Sequence, residues 1–138
     1  MRSSAGVEQA LAPSAGMYQT VLQQRTFEFA RVLLKLYPRM AKLGRPYEHI
    51  AYQLFRAGSS IGAHLEEGSV FVSNKDKAQK HAIALREARE STHWLRLLIE
   101  DGKMLDELKP LLAEAFEFVA MLTTSVKKLR TEDGASDS

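Results

Sequence analysis

Apolar residues recur at three- and four-residue steps along four long stretches of this chain, and no stretch shows a convincing strand pattern. The first stretch predicts a helix from about Tyr18 to about Lys42, with Pro38 expected to kink it or end it early. Its apolar residues are Phe29, Val32, Leu33, Leu34, Leu36, Tyr37, Met40 and Leu43. They cover an arc of roughly 200°, about twice what one core requires. The excess predicts a second packing partner, and therefore self-association. The second helix is expected to start near Pro46, suited to a first turn, and to end near Gly68. Ile50, Leu54, Ala57, Ile61 and Leu65 form its stripe. The third opens at Ser73, a capping residue, with Asp76 at its positive end, and runs to Asp101 before Gly102. The fourth runs from about Asp106 to Arg130 on a stripe that includes Leu108, Leu111, Ala115, Leu122 and Val126. Four long helices with short connections predict an all-α, antiparallel up-down-up-down four-helix bundle.

Residues 1–16 are rich in Ser, Ala, Gly and Pro and read as a flexible leader. Residues 17–130 form the bundle domain, and 131–138 read as a disordered acidic tail. With 138 residues, 45% of them hydrophobic and 26% charged, the chain can bury a real core in one domain. It has no cysteine, which excludes disulfides, thiolate catalysis and cysteine-ligated metal sites. The apolar runs are too short for a membrane span, and the N-terminus lacks a signal-peptide pattern. A cytoplasmic protein is the expectation.

A regular row of polar residues borders the apolar stripe of the second helix: Gln53, Arg56, Ser60, His64 and Glu67. Such a row needs a partner. On the third helix Glu87 falls within the apolar arc, where an unpaired carboxylate would be costly. Arg56 or Ser60 is therefore expected to meet Glu87, so that the row joins two helices rather than forming a reactive site.

Other chemistry finds less support. Glu90 and His93 have the Glu-x-x-His spacing of di-iron bundles, but such a site needs that pair twice, and His64 and Glu67 stand in the reverse order. A metal-dependent enzyme is the remote alternative. No nucleophile elbow or phosphate loop is present, and the segment Gly58 to Gly62 lacks the Lys-Ser/Thr of a phosphate loop. We expect no catalytic residue, metal or cofactor.

The net charge of +2 is too small to mark a general nucleic-acid binder. Its distribution is more informative. Between Tyr18 and Arg45 six Lys/Arg stand against Glu28 alone. Arg31, Lys35, Arg39 and Lys42 share one narrow arc of the first helix, the best surface candidate for an anionic partner.

Gln53, Arg56, Ala57, Ser60, Ile61, Glu67 and Gly68, followed by Glu87, Glu90, Trp94 and Leu95, carry a family pattern. The chain thereby resembles the four-helix-bundle proteins encoded in intervening sequences of bacterial 23S rRNA genes. It departs at His64, where the family usually has Asn. The resemblance covers about residues 18–130. It implies a ring-shaped homopentamer and a role in RNA binding. A related branch, the accessory proteins of diversity-generating retroelements, binds reverse transcriptase and nucleic acid through a basic pentameric barrel. The expected function is a non-enzymatic oligomeric scaffold that binds structured RNA or an RNA-associated protein through Arg31, Lys35, Arg39 and Lys42. The alternative is a protein-interaction or structural module without nucleic acid.

Overall fold

The computed structural model describes residues 20–137, with side chains up to Glu132. The proposed leader, residues 1–16, lies outside the described residues. Four helices follow in order: α1 (Val21–Ala41), α2 (Tyr47–Ser69), α3 (Asn74–Glu100) and α4 (Leu105–Asp137). Strands are absent among the described residues. Sequential helices pack closely and run antiparallel, as connections this short require. No helix of the described residues is long and apolar enough to cross a membrane.

The helix ends follow local chemistry. Thr20 and Gln23 form a capping box at the start of α1: the Gln23 N–H donates to Thr20 Oγ1 (3.0 Å), and the Thr20 N–H donates to Gln23 Oε1 (2.9 Å). Ser73 caps α3, accepting from the Asp76 N–H. Gly102 terminates α3 at φ +75°, a conformation that disfavours a side chain.

Two expectations are corrected. Pro38 does not end α1 early, since the helix runs to Ala41. Pro38 is exposed and close to the helix end, so the one hydrogen bond it removes frees a carbonyl that water can reach. The tail expected from residue 131 is instead helical to Asp137. Once a helix is nucleated, each added residue gains a hydrogen bond. Asn74 Nδ2 at the start of α3 also donates to Glu132 Oε1 (3.3 Å).

The core holds Phe29, Leu33 and Met40 of α1, Leu54 and Ile61 of α2, Leu95 and Leu98 of α3, and Leu108, Phe118 and Leu122 of α4. The α1–α4 seam has few close backbone approaches and is closed by side chains. Phe29 and Phe118 meet edge-to-face with centroids 5.3 Å apart. Arg25 covers the seam, bonding Glu114 Oε1 (2.6 Å) and Glu117 Oε1 (2.5 Å) with its guanidinium 5.7 Å from the Phe118 ring. The wide apolar arc of α1 is only partly used. Val32 and Tyr37 border the core, while Phe27 and Leu34 remain 60% and 59% exposed.

Candidate functional site

The polar row of α2 faces α3. Arg56 lies thirteen residues before the end of α2, and Glu87 thirteen residues after the start of α3, so an antiparallel pair sets them at one level. The main partner of Arg56, however, is Glu90, which accepts a charge-assisted hydrogen bond from its Nη2. Glu87 stands further off, with Oε1 3.7 Å from Arg56 Nη1 and a side chain 14% exposed. Trp94 Nε1–H donates to the same Glu90 oxygen (3.0 Å), and Gln53 Oε1 accepts from Arg56 Nε (3.3 Å). Burial alone would raise the Glu90 pKa. Hydrogen bonds from Trp94 and Arg56 outweigh it and hold the carboxyl below its ordinary value.

Ser60 does not reach Glu87. Its hydroxyl donates to the Arg56 carbonyl of its own helix (2.7 Å), the usual recourse of a mid-helix serine. Further along the row, Glu67 accepts from Lys80 Nζ of α3 (2.9 Å), and this partner holds its carboxyl below the ordinary value. His64 Nδ1 is shielded from water and makes no hydrogen bond, although Glu67 Oε1 lies 3.3 Å away. Gly68 permits the close passage of α3: a Cβ there would sit 3.0 Å from Lys80 Cβ.

These contacts make an interhelical clasp. Its side chains are partly exposed, which limits the strength of each pair. A double-mutant cycle on Arg56→Ala and Glu90→Ala, read by urea unfolding, should give a coupling energy of about 0.5–1 kcal/mol. Coupling near zero would remove the clasp.

Other side chains engage both members of the Glu-x-x-His pair. Glu90 is taken by Arg56 and Trp94, whereas His93 is exposed with its ring edge-on to Trp94 at 4.8 Å. Among the described residues no three His, Asp or Glu side chains come together as a metal would need. Elsewhere, His81 Nδ1 and Ser125 Oγ share a 2.6 Å hydrogen bond. Desolvation, helped by Lys77, lowers the His81 pKa. The unfolded chain therefore takes up this proton first, and stability should fall as pH drops below about 6.5. Urea midpoints on either side of that pH should show the loss, and His81→Gln should reduce it.

The basic arc of α1 lies at the surface, but its charges are unequal in freedom. Arg31 pairs with Glu28 (2.6 Å) and Arg39 with Glu107 of α4 (3.0 Å). Lys35 and Lys42 are exposed and make no ion pair with a described residue. Sequence reasoning overlooked a second set of free cations, Arg86, Arg89 and Arg96 on α3, also exposed. Their helical spacing was readable, but the interleaved Glu87 and Glu90 masked it.

Comparison with known proteins adds the lineage. No curated protein matches this chain. A crystal structure from Bacteroides thetaiotaomicron, described as a protein with unknown function from the S23 ribosomal protein family, superposes with a TM-score of 0.69 at 28% identity. The match covers 78% of this chain and 99% of that one. The family model described as 23S rRNA-intervening sequence protein matches residues 19–124, a span that includes the whole clasp and the α1 arc. The chain belongs to the 23S rRNA-intervening sequence protein family.

Proposed function

We propose that the protein is a non-enzymatic, oligomeric scaffold that binds structured RNA, or a ribonucleoprotein, through its cationic surface. One observation carries this reading: α1 and its C-terminal cap residue Lys42 set Arg31, Lys35, Arg39 and Lys42 on a solvent-facing arc, with Lys35 and Lys42 unneutralised by any described residue. Phosphates are the natural counter-charge for such an arc. The clasp from Arg56 to Glu90 and Trp94 joins α3 to α2, the helix on which α1 packs. It has the character of a structural joint, because its carboxylate is engaged on two sides rather than aimed at a cavity.

Self-association is supported by Phe27 and Leu34, which share a helix face seven residues apart and remain largely exposed. The family likeness favours a pentameric ring. In such a ring the α1 arc would repeat around the assembly and multiply weak phosphate contacts. Titrating a labelled RNA hairpin against the protein at low and moderate salt tests the reading. Binding at low salt that is lost on combining Arg31→Glu, Lys35→Glu and Lys42→Glu is the expected result. No binding, or binding unchanged by the reversals, would reject it. Light scattering tests the ring: a monomer at micromolar concentration would contradict it.

A further inference from the structure

The outer face of α3 carries a cationic row separate from the α1 arc. Arg86, Arg89, His93 and Arg96 follow at steps of three, four and three residues, which keeps them on one side of the helix. All four are exposed. The guanidinium groups of Arg86, Arg89 and Arg96 form no ion pair or hydrogen bond with another described residue. On α1, by contrast, both arginines of the arc are held by carboxylates. The row extends about 15 Å along a continuous helix, so its charges are preorganised. It is also tied to the clasp, because His93 rests edge-on against Trp94, whose indole donates to Glu90.

We infer that this row is a second phosphate-binding face whose occupant is the sugar–phosphate backbone of structured RNA. The inference rests on the RNA-binding reading above and adds to it where a further part of the RNA lies. Guanidinium groups suit phosphate oxygens, which they bond in a fork geometry. A row of unpaired like charges is a favourable site for an anionic partner, which relieves its repulsion. A protein partner fits less well. The core of a protein interface is poor in charge and rich in aromatic residues, whereas the residue between Arg89 and Arg96 on this row is the polar His93. The nearby apolar residue, Leu97, follows the last arginine rather than separating the three. Because α1 and α3 do not pack on each other, they occupy diagonal corners of the bundle. The two cationic faces therefore look outward in opposite directions, and one protomer can contact two separate parts of an RNA.

The test compares three proteins against one labelled RNA hairpin at a single low salt concentration. These are the wild type, the combined Arg86→Glu, Arg89→Glu and Arg96→Glu variant, and the combined Arg→Lys variant at the same positions. Reversal should weaken binding at least about tenfold, while Lys, which keeps the charge but loses the fork, should weaken it clearly less than reversal does. Circular dichroism should show unchanged helix content, since the replaced side chains are exposed. If the reversal variant does not fold, the combined Arg→Gln variant replaces it, and the same tenfold loss is expected. Wild-type binding that the α3 changes leave intact would overturn the inference while the α1 reading stands. Absence of wild-type binding would overturn both.

Discussion

Phe118→Ala should lower the stability of the bundle by about 3–5 kcal/mol, measured as a fall in urea midpoint. Phe118 is fully buried, and it fills the seam where α1 and α4 approach least closely through their backbones. Truncation removes its transfer energy and opens a cavity. It also removes the edge-to-face contact with Phe29 and the ring beneath Arg25. The α1–α4 backbones make few contacts that could draw the seam shut, so the cavity should persist. Phe118→Leu keeps most of the volume and should cost distinctly less. Equal losses for the two variants would show that the seam relaxes freely.

Gly58→Ala should destabilise by about 1–3 kcal/mol, although alanine is the better helix former. In an exposed helix the exchange would gain about 1 kcal/mol. Here an added Cβ would lie 2.2 Å from Leu33 Cδ1 and 3.1 Å from Phe29 Cε2. Leu33 is fully buried and Phe29 nearly so, so neither can swing into solvent. Overpacking therefore outweighs propensity. Gly62 makes a graded comparison, because its added Cβ would meet Thr26 Oγ1 at 3.0 Å, a smaller overlap. Thermal unfolding of both alanine variants should rank Gly58 as the more sensitive. A stabilised Gly58→Ala would mean that α1 shifts away at little cost.

Much of this fold could be read from the residues. The apolar stripes located all four helices, and Ser73 and Gly102 marked the limits of α3. The glycines inside α2 lie against close neighbours of α1, Leu33 at Gly58 and Thr26 at Gly62. Pro38 misled because its effect depends on how much helix follows it and on whether water reaches the freed carbonyl. Thr131 to Asp137 misled because local composition does not show a helix already propagating into them.

The candidate sites were legible to different depths. A polar row opposite Glu87 implied an interhelical joint, and Arg56 does face that side. Glu87 and Glu90 are less than one turn apart, so spacing alone could not choose between them. The Trp94 indole, which donates to Glu90, helps fix the choice. Ser60 instead bonded the Arg56 carbonyl one turn back in its own helix. The α1 arc was visible as four cations, but neutralisation of Arg39 depends on Glu107, sixty-eight residues away in the chain. No local pattern reports such a pair. The free arginines of α3 show the converse: neighbouring carboxylates suggested neutralisation, yet Glu90 is engaged by Arg56 and Trp94, and Glu87 turns toward Arg56.

A scaffold that holds RNA by its phosphates should bind with a marked dependence on salt, since each phosphate contact releases counterions. Lys35, Lys42, Arg86, Arg89 and Arg96 are the exposed cations of the two rows without a described partner. The most direct measurement is the affinity of the wild-type protein for a labelled RNA hairpin across a series of salt concentrations. Plotted as log K against log salt, it should fall with a slope of about −3 or steeper. A flat plot, or no binding at the lowest salt, would contradict phosphate recognition by this surface.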